Sequence, residues 1–247
     1  MRYQSNLIAP DLRPHFKHLH ERVMGHSFGH DEISDWADRP ADDPVLGLYK
    51  NCGFWSHDEA AILYTIAKRG GFWLDIGAHT GWTAAHMAEA GCHVTALEPM
   101  LPLPEWRERF RMNTQAWAAR IGPVRMRADE YFAAIAPAPM YDGIVIDGDH
   151  IHPNPLADAL GSSNHLKRDG VILFHDAIGD PVWNGIYALT AQNFRCHIYL
   201  TPHIVACCWR GNWKPPVHVP DPAINWKEIQ TNHMKGFAWD RVTCDAY

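Results

Sequence analysis

Trp73-Leu-Asp-Ile-Gly-Ala-His-Thr-Gly-Trp82 is the stretch whose reading decides the fold. A short apolar run (Phe72–Ile76) carries an acid near its end, then a glycine-bearing turn leads into a helical pattern over Thr83–Ala90. Gly91 closes that helix, a second apolar run (Val94–Leu97) follows, and Glu98 stands at its tip. The pattern predicts a strand–loop–helix–strand unit with a carboxylate at the carboxyl end of each strand. In open parallel sheets that end holds nucleotide-like ligands, and a terminal acid is the usual partner of a ribose. A dinucleotide reading fits less well, because Gly-Ala-His-Thr-Gly lacks the first close glycine pair of GxGxxG.

The alternation continues outward in both directions. Upstream, Ser56-His-Asp-Glu59 has capping-box spacing, Ile62, Leu63, Ile66 and Ala67 form one apolar face, and Gly70-Gly71 stops the helix. Downstream, Pro104 opens a helix carrying Trp106, Phe110 and Trp117, read as core anchors. Val124–Ala128 reads as a third strand with Asp129 at its tip, Tyr141–Asp147 as a fourth and Gly170–Asp176 as a fifth, with a helix over Pro155–Leu166 between the last two. A helix (Pro181–Phe194) precedes two strands, Cys196–Leu200 and Ile204–Arg210, joined by so short a link that they must be antiparallel. The expected fold is α/β and Rossmann-like: a mostly parallel seven-stranded sheet ending in an antiparallel hairpin, with helices on both faces.

At 247 residues and 47% hydrophobic content, the chain has room for one sizeable α/β domain with decorations. Residues 1–52, rich in Pro, His and Asp, read as an arm or lid. Residues 53–211 form the expected ligand-binding domain, and 212–247 a Trp- and Pro-rich extension. Net charge is −6, from 22 Lys+Arg against 28 Asp+Glu, which argues against a nucleic-acid partner. No run approaches the ~20 apolar residues of a membrane span, and no secretion signal is read at the start, so the expected location is cytoplasmic. The six cysteines form no Cys-x-x-Cys pair and read as reduced, buried thiols. Of the 17 histidines, His26 and His30 have the four-residue spacing of helical metal ligands, but Gly25 and Gly29 beside them disfavour a helix.

Three segments carry a family resemblance: Gly53-Phe-Trp-Ser-His-Asp-Glu-Ala-Ala-Ile-Leu63, Leu74-Asp-Ile-Gly-Ala-His-Thr-Gly81, and Ile146-Asp-Gly-Asp-His150 with Asp158 and Gly170-Val-Ile-Leu-Phe-His-Asp176. Over residues 53–210 the chain resembles the class I S-adenosylmethionine-dependent methyltransferases, and within them a bacterial group similar to the macrocin-type sugar and catechol O-methyltransferases. His79 stands where that family's loop usually has its middle glycine.

The resemblance implies S-adenosylmethionine as cofactor, held by Asp75, Gly77, His79, Gly81, Glu98 and Asp129. Asp75 would orient the loop or reach the donor's ammonium, Glu98 the ribose hydroxyls and Asp129 the adenine amino group. Asp147, Asp149 and His150 crowd one strand tip and His175 and Asp176 the next, so three carboxylates and two imidazoles are expected in one cleft. Asp147, His150 and His175 are the candidate catalytic residues. Asp147, His175 and Asp176 match the positions that hold a magnesium or manganese ion in metal-dependent relatives, with His175 where an acid is usual. Metal and base are left open here, since a histidine serves either purpose. The expected function is O-methylation of a small-molecule hydroxyl, on a sugar or phenolic compound. The other reading is a non-catalytic scaffold or ligand sensor that keeps the fold. Trp36, Trp55, Trp213 and Trp226 would line an acceptor pocket or cement a homo-oligomer interface.

Overall fold

The computed structural model describes residues 5–16, 55–177, 180–201, 203–233 and 242–246. Most of the arm, including Trp36, His26 and His30, lies outside the described residues.

The first long helix, α1 (His57–Ala67), starts on the expected capping box: Ser56 accepts from the Glu59 amide while the Glu59 carboxylate accepts from the Ser56 amide. After Gly70 and Gly71, both at positive φ, come β1 (Phe72–Ile76), α2 (Trp82–Glu89), β2 (His93–Leu97) and α3 (Pro104–Thr114). β3 (Ile121–Val124), α4 (Ala128–Ala134), β4 (Tyr141–Ile146), α5 (Asn154–His165), β5 (Leu166–Phe174) and α6 (Asp180–Ala191) follow, then β6 (Arg195–Tyr199), β7 (Val205–Trp209), α7 (Trp226–His233) and β8 (Val242–Cys244).

The sheet order is β3-β2-β1-β4-β5-β7-β6-β8. Strands β1 to β5 pair in parallel, β7 runs antiparallel to both β5 and β6, and β8 lies parallel to β6. The strands read as continuous apolar runs because both faces are covered. Trp73, Val145, Val171, Leu173, Val205 and Cys207 belong to one core layer with α1 and α2. Leu74, Ile144, Ile146, Ile172, Phe174 and Cys208 belong to the other, with α5 and α6.

The expected seven strands and hairpin are present, with two differences. The third strand ends at Val124, so Asp129 is not at its tip but in the first turn of α4. This strand is the sheet edge and contains Pro123, which has no N–H to donate. The second difference is β8, an eighth strand supplied by the C-terminal segment. Cys92, Cys196, Cys207, Cys208 and Cys244 are free thiols. Among the described residues no helix is long and apolar enough to cross a membrane.

The strand order reverses between β1 and β4, which makes their carboxyl ends the topological switch point. Register places Ile76 beside Ile146, so Gly77 and Asp147 emerge side by side; Asp147 N–H donates to the Ile76 carbonyl at 2.9 Å. One strand over, His175 N–H donates to the Ile146 carbonyl at 3.1 Å.

Candidate active site

The site has two parts on either side of the β1–β4 switch point. On the β1–β2 side, Asp75 is fully buried and its Oδ2 accepts from the Thr83 hydroxyl of α2 at 2.7 Å. Its Oδ1 is buried with no hydrogen-bond partner. Burial, reinforced by the charges of Asp147 and Glu98 and opposed by the Thr83 bond and the Ala84 amide, pushes its pKa up to about 7. An unpartnered buried carboxylate oxygen costs free energy unless a cation or donor meets it.

The turn after β1 is built from left-handed residues: Gly77 at φ 84, His79 at φ 48 and Gly81 at φ 94. At Gly77 a Cβ would fall 2.1 Å from the Asp147 carbonyl oxygen, so the glycine serves close approach of two strand tips. Gly81 is the N-cap of α2, and a Cβ there would meet Thr114 Cγ2 at 2.4 Å. His79 fits by turning its amide onto Glu98 Oε2 (2.8 Å) and its ring edge-on to Trp106, centroids 4.5 Å apart. Burial lowers its pKa to about 4, so the ring is neutral near pH 7.

Glu98 is thereby aimed: Oε2 takes the His79 amide and Oε1 the Met100 amide at 2.8 Å, leaving further lone pairs for a ligand. Burial raises its pKa, and the two amides oppose the rise. Beyond it a cleft is lined by Gly77, Leu97, Met126, Asp129, Asp149 and Asp158. The Asp129 side chain is 63% exposed and ion-pairs with Arg127, so it borders this cleft without being buried in it. Asp158, by contrast, is buried, and that burial with the nearby charge of Asp129 raises its pKa to about 7.

On the β4–β5 side, Asp147, His150, His175 and Asp176 converge as expected. His175 Nδ1 lies 3.2 Å from Asp147 Oδ1 and 3.3 Å from Asp176 Oδ2. His150 bridges the same acids, Nε2 being 3.5 Å from Asp147 Oδ1 and Nδ1 3.5 Å from Asp176 Oδ2. Asp176 has φ 51, and this left-handed turn right after β5 stands its carboxylate back beside His175. Asp149 is not part of this group: it accepts from the Ile151 amide and the Asn154 side chain and turns to the cleft on the other side.

Two members of the cluster, Glu59 and His203, have no counterpart among the site residues expected from sequence, and a third, Trp55, is expected only as pocket or interface lining. Glu59, the capping-box acid, points its other lone pairs at His175 Nε2 (3.4 Å) and His203 Nδ1 (3.2 Å). His203 comes from the β6–β7 turn and also gives its amide to Glu59 Oε1 at 2.8 Å. Trp55 stacks on the His175 ring (4.9 Å, 13°) and donates its indole N–H to Asp147 Oδ2 at 2.9 Å. For Glu59 the sequence signal is the capping motif, and it names a helix start only.

Charge compensation here outweighs burial. Burial presses the His175 pKa down, but Asp147 and Asp176 hold it well above the ordinary imidazole value. Burial likewise disfavours ionised Glu59, yet His203 and His175 keep it well below the usual carboxylate range. His150 is raised by its contact with Asp147 against a smaller opposing effect of burial. The His175 side chain is 0% exposed and both its nitrogens face carboxylates, whereas His150 is 39% exposed. Of the two expected bases, only His150 has solvent exposure.

The expected aromatic lining separates in the same way. Trp55 is in the site. Trp226 is buried in the core with its N–H on the Asp221 carbonyl, and Trp213 packs edge-on to Trp209 under Arg69. These two positions are taken up by packing within the chain.

Residues 74–177 match the model of a methyltransferase domain. No curated protein sequence matches the chain. Among solved structures, a Klebsiella pneumoniae protein provisionally assigned as an O-methyltransferase superposes with a TM-score of 0.56 at 15% identity, over 74% of this chain and 96% of that one. A Staphylococcus aureus protein provisionally assigned as a caffeoyl-CoA O-methyltransferase gives 0.55 at 13%, over 72% and 97%. A methyltransferase from Geobacter sulfurreducens gives 0.55 at 16%, over 76% and 100%. At such identities the likeness is one of fold. The matched span runs from within β1 to the residue after Asp176 and so contains both halves of the site apart from Trp55, Glu59 and His203. The chain has a Rossmann-like α/β fold, and its segment 74–177 is similar to a methyltransferase domain.

Proposed function

We propose that this enzyme moves a methyl group from S-adenosylmethionine to a hydroxyl of a small molecule. The observation that carries the reading is Asp75 Oδ1, a buried carboxylate oxygen without a partner, in line with an oriented Glu98 along one loop. That pair fits the two polar ends of an amino-acid nucleoside: Asp75 for the ammonium and Glu98 for the ribose hydroxyls. Asp129 and Asp158 border the cleft where an adenine edge would lie, and protonated Asp158 would donate to a ring nitrogen. Gly77 and Gly81 hold the loop's path, and His79 contributes its amide to Glu98. When bound, the donor supplies an electrophilic methylsulfonium carbon.

The residues at the β4 and β5 tips then position and deprotonate the acceptor. His150, partly exposed and flanked by Asp147 and Asp176, takes the hydroxyl proton as general base. Buried His175 holds Asp147 and Asp176 in place. Asp147, His175 and Asp176 also offer three donor atoms around one point, the set expected for a magnesium or manganese ion. An ion there would lower the acceptor hydroxyl's pKa and share the work of the base. Residues 1–52 and 212–247 would complete the acceptor pocket around the 53–211 domain.

Calorimetric titration with S-adenosylmethionine and S-adenosylhomocysteine tests the reading: both should bind one-to-one, and Asp75→Asn should weaken both. Failure of both ligands to bind wild-type protein would leave the scaffold reading in its place.

A further inference from the structure

His175 has two sides. Its Nδ1 faces Asp147 and Asp176, and its Nε2 faces donors that methyl transfer does not use. Glu59 Oε2, His175 Nε2 and His203 Nδ1 all lie within 4.8 Å of one another, brought in by the start of α1, the tip of β5 and the β6–β7 turn. A first-row divalent ion bonds imidazole nitrogen and carboxylate oxygen at about 2.0–2.2 Å, so neighbouring donors on one ion stand roughly 3.0–3.4 Å apart. Here Oε2 is 3.4 Å from Nε2 and 3.2 Å from Nδ1. Both separations exceed the ~2.7–2.9 Å of a charge-assisted N–H···O bond.

The surroundings suit a ligand set. Glu59 is locked, with Oε1 on the His203 amide at 2.8 Å and Oε2 on the Ser56 amide at 2.6 Å, leaving Oε2 a second lone pair. A metal-bound imidazole usually gives its other N–H to a carboxylate, which Asp147 provides at 3.2 Å. Glu59 and His175 are 0% exposed, whereas the His203 side chain is 38% exposed and supplies a way in.

We propose that Glu59, His175 and His203 form a transition-metal site, binding through Oε2, Nε2 and Nδ1 with an outer position open to water or acceptor. Two imidazoles and one carboxylate favour zinc, cobalt or manganese over magnesium. A ring ligating through Nε2 keeps its Nδ1 proton for Asp147, so an ion here removes His175 from the Asp147 set. The competing arrangement has no ion: three carboxylates (Glu59, Asp147, Asp176) face three imidazoles (His150, His175, His203), and a proton on each ring balances them.

The proposal does not depend on the methyl-transfer reading, and S-adenosylhomocysteine binding measured on the same samples keeps the two apart. Full-length protein stripped with a chelator is titrated with Co2+ and with Zn2+, followed by calorimetry and by the visible absorption of nitrogen-ligated Co2+. One equivalent should bind. Outer-shell Asp147→Asn should cost about 10–100-fold in affinity, and Glu59→Gln and His203→Ala more than that. His203→Ala changes a half-open turn residue, so it tests the site even if Glu59→Gln fails to fold. No uptake at millimolar ion would overturn the proposal. So would uptake that both ligand variants leave unchanged, or uptake abolished only by Asp147→Asn and Asp176→Asn.

Discussion

Replacing Asp75 with Asn should strengthen the fold in alkaline buffer while crippling the site. The carboxyl has a pKa of about 7 in the folded chain against an ordinary 3.8. A group whose folded pKa is raised contributes stability that is fully present below the unfolded pKa and is lost as pH rises through the folded value. At 1.36 kcal/mol per pH unit, the ionised form of Asp75 costs the fold about 4 kcal/mol above pH 7. Asn keeps the shape and an oxygen for Thr83 but carries no charge, so that loss between pH 4 and 8 should disappear. The same change removes the anionic partner proposed for the donor's ammonium, for which truncating one side of a buried charge pair costs about 2–5 kcal/mol. Urea unfolding at pH 5 and pH 8, with S-adenosylhomocysteine calorimetry at pH 8, reads both effects. Wild-type binding near pH 7 should also release a proton, visible as an enthalpy that varies with the buffer's ionisation heat. A variant equally destabilised at both pH values, and binding as the wild type does, would refute the reasoning.

Three further outcomes follow from other parts of the molecule. His150→Asn should lower kcat by about 10²–10⁴ with S-adenosylhomocysteine affinity unchanged, measured once an acceptor is in hand. Gly77→Ala should cost about 3 kcal/mol or more, because the new methyl meets the Asp147 carbonyl at a left-handed φ; thermal melts read this directly. Away from the site, His218 sits between Asp58 and Asp245, and these acids outweigh burial to lift its pKa to about 9. Its stabilisation should therefore be full below the ordinary 6.5 and lost as pH rises through about 9, so His218→Gln should flatten the melting curve across that window.

The sheet was legible because its inner strands are buried on both faces and read as apolar blocks that helices cannot mimic at such short length. Its two flanks were not. β3 carries a glycine and a proline in four residues, so the apolar pattern points downstream of the true strand and puts Asp129 at its tip. β8 has three residues and pairs only through β6, a long-range partnership with no local signature. The same divide runs through the site. Asp75, Glu98, Asp147, His175 and Asp176 stand at or beside ends of apolar runs, where polar residues attract notice. Glu59 already had a sufficient local explanation as a cap, and His203 lay in a turn of three residues. Their meeting with His175 depends on the register of β5 against β7 and the seating of α1, which no sequence window contains.

Strand β8 also settles how the sheet meets its surroundings. By lying along β6 it covers backbone groups that would otherwise offer a template to another chain, and Asp245 just past it accepts the Leu200 amide. At the opposite flank Pro123 interrupts the donor row of β3. Neither margin presents a long, regular ladder, so association between copies of this protein should proceed through helices and loops, leaving the open end of the sheet to ligands.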